Sequence, residues 1–331
     1  MHIPDGYLSP ATCAALYAGA APFWYVSLQR MKRAFNTQMV PLLSVFAAFS
    51  FIIMMFNLPL PGGTTGHAVG VGIATIVLGP WASILGISIA LIIQAVFFGD
   101  GGITTIGANC FNMAIIGSLA TYAVYRLLSG RASITSARRV IAAGVAGYVA
   151  INLAALAAAI EFGIQPLLYH DASGAPLYAP YPLRIAIPAM MIGHLTIAGL
   201  AEMVVSAGVV AYLQRSEPAL LKRTAPGASE QGAPEHAAGN LRPVWFALAA
   251  LLILTPLGIL ATGSAWGESP PFPTPRGLRA LASFWTAPMP RYAPPFLKSP
   301  AFGYLLSAMI GTGIILLVIL FAGWMANRRS R

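Results

Sequence analysis

A chain of 331 residues that is 57% hydrophobic and only 8% charged, with a mean hydropathy of +0.74, cannot fold as a water-soluble domain without exposing large apolar patches. Within a bilayer every backbone polar group must be satisfied inside the chain, and long apolar runs favour helices over a closed barrel of alternating strands. The formal charge of +10 is scattered between apolar segments and lines no single face, so the basic residues argue against a nucleic-acid surface and report membrane orientation instead.

The opening stretch "MHIPDGYLSP" lacks the basic start and apolar run of an export signal. Runs long enough to span, at about 20 residues per helical crossing, follow at 9–29, 37–59, 107–127, 140–163, 185–213, 243–263 and 301–325. Between His67 and Phe98 the pattern is interrupted at Gly79 and Pro80 in "LGPW", which predicts two short helices, 68–80 and 82–98. Counting both gives an all-α integral membrane protein of nine transmembrane helices, N-terminus outside and C-terminus in the cytoplasm, with most of the basic residues on the cytoplasmic side. A single helix there would flip every later segment and expose the cluster from Arg126 to Arg139 outside. Residues 214–241, rich in Ala, Gly, Pro and Glu without an apolar period, read as a flexible cytoplasmic linker. It divides a seven-helix module, 1–213, from a two-helix module, 242–331, whose external loop 264–300 is packed with proline. Cys13 and Cys110 lie in apolar runs with no C-x-x-C spacing and read as buried thiols.

The chemistry concentrates at the N-terminus. A bulky second residue hinders removal of Met1, which leaves an α-amine beside the imidazole of His2. The Met1 amine, the His2 backbone nitrogen and His2 Nδ1 can close a five-membered and a six-membered chelate ring on one ion, and Pro4 reduces the cost of ordering that clamp. His67, in "PLPGGTTGHAVG" on the same expected external face, is the candidate for a fourth nitrogen, since its Gly-rich loop can fold back over the terminus. Four nitrogens in a plane suit Ni²⁺ or Cu²⁺, imidazole-rich sites also take Co²⁺, and Mg²⁺ or Ca²⁺ would be poorly served. Spacing alone leaves open a solvated His2 and a helix-end His67. Polar residues at membrane depth are costly and face partners or cavities. Gln94, Asp100 and His194 are therefore candidates for orienting the site, together with Asn109 and Asn112, three apart and so expected on one helix face. Glu161 and Glu202 are further intramembrane acids. Neither a G-x-x-x-x-G-K-[ST] loop nor a G-x-S-x-G or H-E-x-x-H pattern occurs, so no catalytic residues, no enzyme activity and no tightly bound cofactor are expected. Bound nitrogens must be deprotonated, so uptake is expected to weaken at acidic pH.

"MHIPDGYLSP", "GGTTGHAVG", "QAVFFGDGGITTIGAN" and "GHLTIAGLAE" resemble the signature stretches of the CbiM/NikM family, the substrate-capturing membrane component of energy-coupling factor (ECF) transporters for cobalt and nickel. The resemblance implies a seven-helix fold at the cytoplasmic membrane and a transported Co²⁺ or Ni²⁺ held by Met1, His2 and His67. It also implies separate partner chains, a CbiQ/NikQ-like coupling protein and CbiO/NikO-like ATPases that supply the energy. "TPLGILATGSAWGE" is similar to the small accessory component, CbiN/NikN or its PDGLE-type relative, here fused through the linker. Two other classes of function compete: a stand-alone secondary transporter with Glu161, Glu202 and His194 as relay groups, and a metal sensor or chaperone without flux.

Overall fold

The computed structural model describes residues 1–34, 39–60, 64–225, 242–259 and 274–329. It is nearly all helical. In chain order come α1 (Pro10–Ala34), α2 (Met39–Met54), a hairpin of β1 (Leu58–Leu60) and β2 (Thr64–Gly66), and α3 (Val71–Leu78). Then follow α4 (Pro80–Phe98), α5 (Ile106–Ser129), α6 (Ala137–Leu168) and α7 (Leu183–Ser216). After α7 come α8 (Arg242–Leu254), α9 (Arg276–Ala282) and α10 (Pro300–Arg329). Five described helices, α4 to α7 and α10, are long and apolar enough to cross a membrane. The first helix has the length but carries more polar residues, whereas α2 is apolar and short.

The break expected in "LGPW" is present: Gly79 ends α3 at a φ of 84° and Pro80 opens α4, where its missing N–H costs nothing. At eight residues α3 covers only about 12 Å, less than half a hydrocarbon core. The Gly-rich stretch before His67, expected as a loop, is a two-stranded antiparallel hairpin in which Leu58 pairs with Gly66 and Leu60 with Thr64. Backbone pairing satisfies polar groups that a bare loop against the helices would leave stranded. Of the expected linker 214–241, α7 takes residues to Ser216, Pro218–Thr224 forms a turn against α3, and Thr224 donates its hydroxyl to the Ile76 carbonyl. Residues 226–241 lie outside the described residues, as do 260–273 of the accessory-like stretch and its loop.

Helix α6 is the centre of the bundle, packed against α5 and α7 and touching α3. Its buried face is built from Ala142, Ala143, Ala146, Ala150, Ala154 and Ala158, small side chains that let neighbouring helices approach closely where no water drives them together. The C-terminal segment lies on the other side, with α10 and α8 against α2 and the Tyr304 hydroxyl donating to the Met55 carbonyl at 2.7 Å. Three helices contain a π-helical turn: Gln94–Phe98 in α4, Cys110–Ile116 in α5 and His194–Ala198 in α7. Such turns widen the helix by one residue, and they concentrate at functional sites. Here each holds or adjoins one of the intramembrane polar residues singled out above.

Candidate metal centre

The first nine residues form an arm held by side chains from distant helices. Asn109, at the start of α5, pairs with Ile3 as a neighbouring strand would: its Oδ1 accepts the Ile3 N–H at 2.8 Å and its Nδ2 donates to the Ile3 carbonyl at 3.1 Å. The Gly102 N–H reaches the same carbonyl at 2.9 Å. Asp5 accepts the N–H groups of Ile103 at 3.1 Å and Thr104 at 2.8 Å, so a single carboxylate fastens the arm to the turn between α4 and α5. On α6, Gln165 accepts the Ser9 N–H at 2.9 Å and donates to Thr12 Oγ1 at 3.2 Å. The arm lies so close to the turn that a Cβ on Gly102 would collide with the backbone nitrogen and carboxyl of Asp5. Gly102→Ala is therefore expected to cost about 1–3 kcal/mol, the usual penalty of overpacking, and to displace His2; thermal unfolding combined with a Ni²⁺ titration checks both effects.

With the arm in place, the nitrogens of Met1, His2 and His67 converge. The Met1 amine lies 3.5 Å from His67 Nε2, and His2 Nδ1 lies 3.1 Å from the same atom, with the two imidazoles stacked at 4.8 Å between centroids. His67 is buried and the His2 side chain is 6% exposed. Each ring has its other nitrogen occupied. His67 Nδ1 donates to the Ala68 carbonyl at 3.1 Å, and His2 Nε2 donates to Gln94 Oε1 at 3.2 Å. In these tautomers His67 Nε2 and His2 Nδ1 keep their lone pairs, while Asp100 Oδ1, 3.2 Å from His2 Nδ1, competes for the His2 proton. Burial lowers the proton affinity of His2, only partly opposed by the Asp100 carboxylate. Burial also holds His67 well below the ordinary histidine range, helped by the charge of the terminal amine. Both rings are thus kept neutral at neutral pH, with their lone pairs turned toward one small space. Among the described residues no three His, Cys, Asp or Glu side chains gather around a common point.

The position of His67 is set from below by Glu202 on α7. Its Oε2 accepts the N–H groups of Val69 at 2.8 Å and Gly70 at 2.9 Å, and its Oε1 accepts that of Gly72 at 3.0 Å. A carboxylate at the start of α3 meets the unpaired amides and positive end of that helix. The turn carrying His67 is thereby pinned to the bundle.

The structure brings Met1, His2, His67, Gln94, Asp100 and Asn109 together and leaves Asn112 with a different partner, while His194 lies within electrostatic reach of His67 and the Met1 amine. Asn109 and Asn112, expected on one face, take different partners: Asn112, within the π-helical turn that begins at Cys110, donates to Glu161 at 2.8 Å rather than to the arm. His194 is fully buried, with its Nδ1 donating to the Met190 carbonyl at 2.8 Å. Asp5, Gln165 and Tyr292 are part of the assembly and were not singled out from the sequence. Asp5, an acid in "MHIPDG" with the chain's "TT" pairs as potential partners, carried a visible signal; Gln165 and Tyr292 carried none.

Comparison with known proteins identifies the family. A family model described as the CbiM cobalt uptake substrate-specific transmembrane region matches residues 2–220. The chain is 54% identical to the fused nickel transport protein NikMN of Rhodobacter capsulatus over 338 residues, covering 95% of each, so that likeness runs through the C-terminal segment as well. It is 45% identical over 274 residues to the probable fused nickel transport protein LarMN of Lactiplantibacillus plantarum, covering 82% of this chain and 78% of that one. A crystal structure described as a transition metal transporter matches with a TM-score of 0.62 and 50% identity, covering 68% of this chain and 98% of that one. This multi-pass membrane protein belongs to the CbiM family, in its fused form.

Proposed function

We propose that this chain is the substrate-capturing component of an ATP-driven ECF transporter and that it takes up Ni²⁺ or Co²⁺ through the Met1–His2–His67 cluster. The observation that carries the reading is the convergence of the amine and two buried imidazole lone pairs on one space. Two nitrogens bound at right angles to one ion, each at about 2.0–2.1 Å, lie about 2.9 Å apart. His67 Nε2 is close to that distance from His2 Nδ1, at 3.1 Å, whereas the Met1 amine, at 3.5 Å, has to move inward to reach it. The fourth corner, opposite His67, then falls to the His2 backbone nitrogen, which the chelate rings already require. An all-nitrogen square favours Ni²⁺ and, by imidazole preference, Co²⁺.

In this reading the N-terminus faces outside, residues 1–213 form the capturing module, 242–331 act as the accessory module, and CbiQ/NikQ-like and CbiO/NikO-like chains drive inward release. Glu202, whose two oxygens accept three backbone amides, is an anchor of the His67 turn in this reading rather than a proton relay. The test is reconstitution in lipid vesicles with an authentic N-terminus. Nickel or cobalt uptake is expected only with the coupling protein, both ATPases and ATP; uptake by the chain alone, driven by a proton or sodium gradient, would establish a secondary transporter. Binding without flux under any condition would establish a sensor. A single Ala inserted after Met1 shifts the imidazole to position 3 and is expected to change the absorption spectrum of bound Ni²⁺ and to reduce uptake.

A further inference from the structure

Tyr292 belongs to the C-terminal segment, 198 residues from Gln94 in sequence, yet its hydroxyl ends up beside the metal centre. The stretch before it caps α4. Trp285 Nε1 donates to the Val96 carbonyl at 2.9 Å and the Met289 N–H to the Phe97 carbonyl at 3.0 Å, using acceptors that the end of the helix leaves without a helical donor. Arg291 and Tyr292 then adopt left-handed backbone angles, φ 53° and 58°, an arrangement that side chains of this size adopt only when their surroundings impose it. The Tyr292 ring is 5% exposed, stacked on Phe98 at 4.9 Å and edge-on to Phe51 and Tyr304.

The polar end of that ring closes a chain of hydrogen bonds with one consistent direction. The Asp100 carboxylate can only accept, so the Tyr292 hydroxyl donates to its Oδ2 at 2.6 Å. The tyrosine oxygen accepts from Gln94 Nε2 at 2.9 Å, which turns the carbonyl end of the Gln94 amide toward His2. Asp100 Oδ1, 3.2 Å from His2 Nδ1, competes for the ring proton; the Gln94 carbonyl offers Nε2 the alternative acceptor that frees Nδ1, the atom needed for the chelate. The direct Gln94–Asp100 contact, at 3.5 Å, is too long to hold the amide by itself.

We propose that Tyr292 is a positioning residue of the metal centre: by orienting Gln94 it selects the His2 tautomer that binds metal, so the C-terminal segment sets the affinity of a site it does not touch. This rests on the metal-capture reading above. The test is Ni²⁺ titration of the full chain, paired with nitrogen NMR of histidine-labelled, metal-free protein, which reports which ring nitrogen of His2 bears the proton. Tyr292→Phe keeps the ring stack and removes only the hydroxyl; it is expected to weaken Ni²⁺ binding about 10- to 100-fold and to replace the single His2 tautomer by a mixture. Gln94→Met breaks the same chain from within while Tyr292 stays docked, and is expected to give the same two changes. Tyr304→Phe, in the same aromatic cluster but outside the chain of bonds, is expected to leave affinity and tautomer as they are. Wild-type affinity and a single tautomer in Tyr292→Phe and Gln94→Met would overturn the proposal, as would equal losses in Tyr304→Phe, which would assign the effect to packing. Failure of the unmodified chain to bind Ni²⁺ would overturn the metal-centre reading and this inference with it, whereas a variant indistinguishable from a binding wild type overturns this inference alone.

Discussion

His67→Ala is expected to weaken Ni²⁺ binding by more than about 100-fold, because even residues that only orient a metal ligand cost 10- to 100-fold when lost. His67 Nε2 is the atom that both the Met1 amine and His2 Nδ1 approach, so its removal opens the cluster at its common point. The chelate of Met1 and His2 would survive with three nitrogens and water in place of the fourth. The measurement is the metal-dependent shift in thermal unfolding. At a free ion concentration 100 times the wild-type dissociation constant, binding stabilises the native state by about 2.7 kcal/mol; a variant with 100-fold weaker binding gains only about 0.4 kcal/mol at the same concentration. A variant that unfolds at the same temperature without metal, but no longer responds to Ni²⁺, isolates the ligand from the fold. A His67→Ala chain that keeps the full shift would remove the cluster from consideration.

Some of this assembly was legible in the sequence and some was not, for reasons that can be named. The chelate proposed at Met1 and His2 follows from covalent ring sizes, which need no tertiary structure. The long helices α4 to α7 and α10 follow from apolar runs that outlast 18 residues. The hairpin before His67 escaped because its strands are three residues each and contain proline and glycine, a pattern that reads as a loop. The π-helical turns escaped because an extra residue per turn is imposed by packing and leaves no periodic trace, so the separate partners of Asn109 and Asn112 were not foreseen. The fasteners Asp5, Gln165 and Tyr292 act across 98, 156 and 198 residues of sequence, a pairing that no local pattern encodes. Glu202 lies between these cases: a carboxylate at membrane depth marked it as important, but only its contacts identify what it does.

Glu202→Gln is expected to destabilise the protein and weaken metal binding together. The carboxylate presents an acceptor on each oxygen to Val69, Gly70 and Gly72, whereas a glutamine offers one acceptor and turns an NH₂ toward a backbone N–H. One charge-assisted hydrogen bond is worth about 1.5–3 kcal/mol and the charge at a helix start about 0.3–1 kcal/mol, so a loss of about 3 kcal/mol is expected and the melting temperature should fall by several degrees. The amides released belong to the turn that follows His67, so its imidazole loses its fixed distance from the Met1 amine and Ni²⁺ affinity falls with stability. A proton relay makes the opposite demand, since replacing a relay carboxylate by its amide blocks flux while the outward site still binds metal at full strength. Ni²⁺ titration and thermal unfolding of the same purified variant decide between them: weaker binding with a lower melting temperature supports the anchor, and unaltered binding with lost transport supports the relay. The anchor is the stronger expectation because all three donors are backbone groups at the start of α3, and a buried carboxylate that gave up its charge to move a proton would weaken its hold on every one of them.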